Sequence, residues 1–258
     1  MRQLLVGLRL AVGTLSIVPV GELPQVDRAS ARWAMVLAPV GAVPAAVLAG
    51  FVTWAGTAAH LPTLVIGIVV VAALGWITRA MHWDGLADTA DGLAAGWSRE
   101  RALEVMRKGD TGPVAVGVLF VVLALDTACI AAVLGAHAGW LLVAGAVLTS
   151  RAACTLIAVR GLPAARPDGL GVVVADNVPV WAVASTAAAT LAVFSLLAIP
   201  AGQPVLALVA GVLGLAAVAV LAIRCRTVLG GVSGDVLGAG IEIALAVVLL
   251  VLSTGGLR

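Results

Sequence analysis

The sequence predicts an all-α protein: a polytopic transmembrane helical bundle of about seven spans, preceded by an N-terminal helix that is interfacial or re-entrant. Three observations predict it. Of 258 residues, 62% are hydrophobic and only 11% charged, whereas a soluble domain carries about 25% charged residues. The apolar residues are gathered into runs of about 20, the length that crosses a hydrocarbon core as a helix. The arginines concentrate in alternate connectors, as topology signals do. A net charge of +2 is too small to suggest nucleic-acid binding. A single domain over 1–258 accounts for the whole chain, and no cleavable secretory signal is predicted, because the N-terminus lacks a small-residue cleavage site.

Residues 1–20 are apolar but carry Arg2 and Arg9 and then meet Pro19 and Gly21, which suits a helix at the interface better than a full crossing. A first span is expected from Trp33 to Ala59, interrupted by Pro39 and Pro44, and a second from Pro62 to Arg79. A polar segment runs from Asp84 to Asp110. The third and fourth spans cover Pro113–Leu134 and Gly139–Val159. Residues 160–177 form a polar loop. Val178 to Ile223 holds no charged residue and is too long for one crossing, so Pro200-Ala201-Gly202-Gln203-Pro204 divides it into two spans. A loop at 224–238 and a last span from Ala239 to Leu252 complete the chain. The connectors near 60–62, 135–139 and 200–204 hold neither lysine nor arginine, whereas the loops at 22–32, 79–110, 160–177 and 224–238 hold almost all of them. Those four loops are expected on one side, the cytoplasmic one. Trp33, Trp83, Trp140 and Trp181 fall near span ends, where interface tryptophans sit. Cys129, Cys154 and Cys225 are too far apart in sequence for a metal clip or redox pair and read as small buried hydrophobes.

The chemistry concentrates in His82-Trp83-Asp84-Gly85-Leu86-Ala87-Asp88-Thr89-Ala90-Asp91-Gly92. If the entering helix continues, Asp84, Asp88 and Asp91 stand at i, i+4 and i+7, within a sector of roughly 60°. Three carboxylates in one space repel each other unless a cation sits among them. Mg²⁺ suits such a site, since it takes hard oxygen ligands and shares its shell with phosphates. His82 falls on the other side of an unbroken helix. A second constellation is Leu229-Gly230-Gly231-Val232-Ser233-Gly234-Asp235 and on to Glu242. Its glycines can bare backbone N–H groups to an anion; the plainer reading of such a turn is a loop and helix cap. Asp235 and Glu242 share a helix face. Two such clusters could grip Mg²⁺ ions that bridge a diphosphate. Arg151, within the fourth span, and Asp126, within the third, need a partner or a wet cavity. Arg151 is read either as Asp126's ion-pair partner or as a phosphate clamp.

These two stretches resemble the cobalamin synthase (adenosylcobinamide-GDP ribazoletransferase) family. His82 to Gly92 fits its H-x-D-G-L-A-D-T-x-D-G signature, and Leu229 to Glu242 fits L-G-G-x-[ST]-G-D-x-L-G-A-x-x-E. Weaker matches are Ser150-Arg151, Gly169-Leu170-Gly171 and Arg101 through Met106-Arg107. Trp83 stands where the family usually has leucine, and Lys108-Gly109-Asp110 where it usually has Asp-Ser-Arg. The resemblance implies a transferase that joins adenosylcobinamide-GDP to α-ribazole, or its 5′-phosphate, and releases GMP, the last assembly step of the cobalamin nucleotide loop. It further implies a Mg²⁺-dependent enzyme embedded in the bilayer of a prokaryotic cell membrane, its site facing the cytoplasm, with room for an oligomer. On that footing Asp84, Asp88, Asp91, Asp235 and Glu242 are metal candidates. His82, or one of the aspartates at 84, 88 and 91, would take the hydroxyl proton. Gly230, Gly231 and Ser233 would hold phosphate oxygens, and Arg107 and Arg151 would stabilise the leaving GMP.

Two other classes fit the composition. An intramembrane prenyltransferase also binds Mg²⁺-diphosphate on aspartates, but should carry two aspartate-rich motifs and a long apolar channel. A transporter would use Asp126, Arg151 and the proline-broken spans, yet the strongest polar clusters lie at the membrane face and not at its midplane.

Overall fold

The computed structural model of the chain describes residues 2–23, 25–96 and 98–257. Its first helix, α1 (Arg2–Leu15), has 14 residues, about 21 Å at 1.5 Å per residue, and buries Val6, Gly7, Ala11 and Leu15. Asp27 caps α2 (Arg28–Val36): its Oδ1 accepts the Ser30 N–H at 2.7 Å, and Ser30 Oγ returns the contact to the Asp27 amide at 3.1 Å. That hydrogen bonding holds the exposed Asp27 carboxyl below its ordinary range. The span expected over 33–59 is broken twice, into α2, α3 (Ala38–Gly41) and α4 (Val43–Ala58). The breaks at Leu37 and Ala42 each precede a proline by two residues. Pro39 and Pro44 lack the N–H that would continue the ladder, and each begins a new helix instead. α1 lies against α2 and α3, where Gly41 leaves no room for a side chain beside Ala11.

α5 (Thr63–Ile77) does not continue into the acidic stretch. A new helix, α6 (Met81–Ala94), leaves it at 91°. The corner is Arg79 and Ala80, both with left-handed φ of 56°, which costs energy for residues bearing a Cβ. The corner is held from outside: the Ile17 amide donates to the Ile77 carbonyl at 2.8 Å, and Arg79 Nη2 donates to the Gly13 carbonyl at 3.0 Å. Within α6 the helix is unbroken, so the spacing of the three aspartates on one face stands.

The chain continues through α7 (Arg99–Arg107), α8 (Pro113–Val133), α9 (Gly139–Ser150), α10 (Ala152–Ile157), α11 (Leu170–Val174), α12 (Val180–Leu197), α13 (Pro204–Leu229) and α14 (Gly234–Ser253), closing in a 3₁₀ turn at Thr254–Leu257. Among the described residues, five segments are long and apolar enough to cross a membrane: α8, α9 with α10, α12, α13 and α14. The bent pair α5 and α6 passes the same test together, and α4 is a shorter apolar helix. This is the helical membrane bundle that the sequence predicts. Phe120 and Val121 on α8, Trp181 on α12 and Val220 and Ile223 on α13 point outward with more than half their surface exposed, as lipid-facing residues do. The expected loop at 224–238 shrinks to four residues. α13 runs on through Arg224 and Arg226 to Leu229, and α14 begins at Gly234 because Ser233 caps it and Asp235 favours its positive end.

α14 is the central helix, packed against α6, α8, α9, α10 and α13. At one end of the bundle the arginine-bearing loops meet. Arg28 donates to the carbonyls of Val172, Ala175 and Asp176, Arg99 to that of Ala165, and the Ala165 amide to the Val232 carbonyl. At the other end the loops poor in basic residues meet, His137 Nδ1 standing 3.1 Å from the Pro200 carbonyl.

Candidate active site

The site is built where α6 crosses the start of α14 at the arginine-rich end. The two helices touch backbone to backbone, with residue 82 opposite 238 and 85 opposite 235, hence antiparallel. A Cβ on Gly85 would lie 2.6 Å from the Asp235 carbonyl oxygen, and one on Gly238 would lie 3.1 Å from His82 Cα. Only glycine permits that approach. It carries the acids of α6 to Asp235 on α14. Asp84 is exposed and Asp88 half-buried. The charges that bear on Asp88 are those of Asp235, Asp84 and Asp91, with Arg166 as the cation among them. Asp235 Oδ2 accepts from Ser233 Oγ at 3.1 Å and stands 3.8 Å from Arg166 Nη2.

The remaining sequence candidates are distributed differently. Asp91 is buried, and both its oxygens are engaged by the first turn of α8: Oδ2 accepts the Gly112 amide at 2.6 Å and Oδ1 the Ala115 amide at 2.9 Å. It shares a helix face with Asp84 and Asp88 but serves as the cap of α8, the orphan N–H groups of a helix start being what a carboxylate satisfies. Glu242 lies two turns along α14 from Asp235 and faces His82, with Oε1 3.6 Å from Nδ1 and both residues 4% exposed. Its carboxylate is shut into the protein, apart from Asp84 and Asp235, with His82, Arg151 and Asp126 for charged company. His82 turns toward α14 and away from the aspartates, as an unbroken helix requires. It borders a cavity of about 70 Å³ shared with Thr14, Met35, Leu170 and Gly234.

Arg151 is 1% exposed, and its Nη1 donates to the Val147 carbonyl at 3.2 Å and to Ser150 Oγ at 2.8 Å. Asp126 and Glu242 are the acids near it, so its surroundings are those of a buried charge group within the protein. Arg107 is exposed, on a surface pair with Asp168 at 3.6 Å. Its neighbour on α7, Glu104, is held below the ordinary carboxyl range by Arg101 and Lys108. Gly230 ends α13 in the left-handed conformation (φ 77°), the usual use of glycine after a helix. Gly231 abuts the Pro163 carbonyl. Helix termination and close packing thus account for the two glycines, the plainer of the two readings of this turn. Ser233 spends its hydroxyl on the α14 cap and on Asp235.

Sequence reasoning missed Arg166. It lies in the loop at 160–177, and only the pairing of that loop with the glycine turn brings it to Asp235. The Val232 amide donates to the Pro163 carbonyl at 2.9 Å, and the Ala165 amide to the Val232 carbonyl at 2.8 Å. A lone arginine in a polar loop carries no local signal for such a position.

The donor chemistry fits Mg²⁺ in part. Asp84, Asp88 and Asp235 offer hard carboxylate oxygens on facing helices, and Mg²⁺ is commonly held by one or two carboxylates with substrate phosphates and water filling the rest. Among the described residues, no three His, Cys, Asp or Glu side chains are gathered tightly enough to hold an ion by themselves. Phosphate oxygens would have to complete the shell.

Comparison with known proteins identifies the family. The family model described as cobalamin-5-phosphate synthase matches residues 7–253. An adenosylcobinamide-GDP ribazoletransferase of Nocardioides sp. is 43% identical over 245 residues, covering 94% of this chain and 96% of the relative. Those of Frankia casuarinae and Bradyrhizobium diazoefficiens are 38% and 32% identical, over 95% and 97% of this chain and 93% and 94% of the relatives. No solved structure matches the chain.

Proposed function

The chain belongs to the cobalamin-5-phosphate synthase family, and from that premise we propose that it joins adenosylcobinamide-GDP to α-ribazole, or to its 5′-phosphate, at the crossing of α6 and α14. The reaction completes the nucleotide loop of cobalamin. A ribazole hydroxyl oxygen bonds to the cobinamide-side phosphorus. The phosphoanhydride bond to GMP breaks, and the hydroxyl proton leaves. Membership of a transferase family favours this over the transporter, and the named substrates of the relatives favour it over the prenyltransferase.

The observation that carries the assignment is the contact of Gly85 with the backbone of Asp235, which sets carboxylates from two signature stretches facing one another. Asp84, Asp88 and Asp235 would hold Mg²⁺ on the diphosphate. The ion, when bound, neutralises phosphate charge and steadies the leaving oxygen. The chain's own contribution is positioning and proton transfer. Asp84 or Asp88 accepts the hydroxyl proton, being the α6 acids not tied to a helix start. Ser233 holds Asp235 in orientation through its hydroxyl. Asp91 fixes α8 to the same helix and keeps the floor of the site rigid. The proton-acceptor role considered for His82 passes to these aspartates, because the imidazole is buried against Glu242.

The crowding of arginines at this end supports a site on the cytoplasmic face of the cell membrane, where a nucleotide-linked donor is soluble. The test is direct. Purified protein in detergent or nanodiscs is incubated with Mg²⁺, adenosylcobinamide-GDP and α-ribazole. GMP and a cobalamin are expected in equal amounts, whereas release of inorganic diphosphate, or no covalent product, would remove this function.

A further inference from the structure

Resting on that reaction, we propose that Arg166 grips the diphosphate of the nucleotide-activated substrate. Three features converge on it. First, the residue is fixed. Its loop is stitched to the glycine turn through Pro163, Ala165 and Val232, and Arg99 Nη2 donates to the Ala165 carbonyl at 3.1 Å. The Gly161 amide, at the start of the loop, donates to Asp176 Oδ1 at 2.7 Å. Second, the side chain is sheltered, 17% exposed, and stands 3.8 Å from Asp235 Oδ2, ion-pair range but beyond a hydrogen bond. Third, its Nε and Nη2 are buried and have no hydrogen-bond partner among the described residues.

A guanidinium held rigidly with unsatisfied buried donors pays a desolvation cost that something must offset. Asp235 supplies charge but not the hydrogen bonds. A phosphate held between Asp88 and Asp235 would meet that free edge, and the planar fork of arginine matches phosphate oxygens in pairs. The other arginines considered are otherwise placed: Arg151 is enclosed among Val147, Ser150, Asp126 and Glu242, and Arg107 is on the surface with Asp168. Arg166 is thus the cation that faces the acids of both helices.

The test uses the full-length protein with GDP and Mg²⁺ as the binding probe, alongside steady-state kinetics with both substrates. Arg166→Lys keeps the charge and loses the fork; Arg166→Gln loses the charge and keeps one donor group. GDP affinity is expected to fall in the order wild type, Lys, Gln, with at least a tenfold loss for Gln. KM for adenosylcobinamide-GDP should rise in the same order, while KM for α-ribazole stays within twofold. Equal GDP affinity for all three proteins, or no GDP binding by the wild type, would overturn the assignment. So would an equal rise in both KM values accompanied by a lowered Tm, which marks a structural role. A wild-type protein that binds GDP in an Arg166-dependent way yet releases no GMP would instead remove the reaction and leave the clamp standing.

Discussion

Glu242 on α14 faces His82 on α6 at 3.6 Å, and both side chains are almost wholly enclosed. Arg151 and Asp126 complete a buried group of four ionisable residues contributed by α6, α8, α14 and the junction of α9 with α10. His82 Nδ1, Asp126 Oδ1 and Arg151 Nε have no hydrogen-bond partner among the described residues. This group ties the helix that bears Asp84 and Asp88 to the one that bears Asp235, a turn or two below the open carboxylates.

Glu242, so enclosed, is expected to stabilise the fold rather than to bind the metal. Removing one member of a buried charge group leaves the others uncompensated, at a cost of about 3–5 kcal/mol. Glu242→Ala should lower the Tm markedly in detergent, while the fraction that stays folded requires the same Mg²⁺ concentration for half-maximal activity. A large rise in that concentration with an unchanged Tm would restore Glu242 to the metal shell.

Asp91 should separate from Asp84 in the same kind of experiment. Its two oxygens hold the start of α8, and losing a helix cap costs about 0.5–2 kcal/mol. Asp91→Ala is expected to lower the Tm. Asp84→Ala, on an exposed carboxylate, should leave the Tm unchanged and reduce turnover by about 10²-fold or more, the scale of losing one preorganised electrostatic contact. Melting curves and GMP release on the two variants check both halves.

Gly85→Ala should be far worse than an alanine substitution in an open place. The new Cβ would meet the Asp235 carbonyl at 2.6 Å, so α6 must move off α14. Overpacking of this kind costs about 1–3 kcal/mol, and it parts the two sets of carboxylates. Activity should fall more steeply than stability. Gly117→Ala on α8, where an added Cβ has no neighbour within 4 Å, is the matched control and should retain wild-type turnover.

Metal removal gives a further check. EDTA should abolish GMP release, and Mg²⁺ should restore it. Because the proposed ligands Asp84, Asp88 and Asp235 would fill only part of a shell, Mg²⁺ should bind weakly alone and more tightly with GDP present, as titration calorimetry would register. Activity that survives exhaustive chelation would rule the metal out.

Much of this was legible in the residues because it is local. Apolar runs, loop arginines and the spacing of Asp84, Asp88 and Asp91 are properties of short stretches, and α6 keeps that spacing on one face. What escaped depends on the meeting of distant segments. Nothing at Arg79 and Ala80 signals a right-angled corner, since neither is glycine and the corner is held by contacts from Gly13 and Ile17. The division of labour among the acids is likewise tertiary. Asp91 belongs to α8 only because Gly112 and Ala115 arrive beside it, and Glu242 belongs to His82 because Gly238 lets the helices close. Arg166 reaches Asp235 through a two-residue pairing of loops that no pattern announces. The glycine turn left two readings open in the sequence, a phosphate cradle and a helix cap; a helix end at Gly230 and a neighbouring carbonyl at Gly231 supply the second.

The proposed function requires that acids from α6 and α14 form a single site for ribazole transfer. The most direct measurement is GMP release from adenosylcobinamide-GDP and α-ribazole by the wild type, Asp88→Ala and Asp235→Ala, with each Tm recorded. Turnover is expected from the wild type and none above background from either variant, with the Tm unchanged for Asp88→Ala and modestly lowered for Asp235→Ala, which removes the first-turn acid of α14 and the partner of Arg166. Wild-type rates from both variants would contradict it.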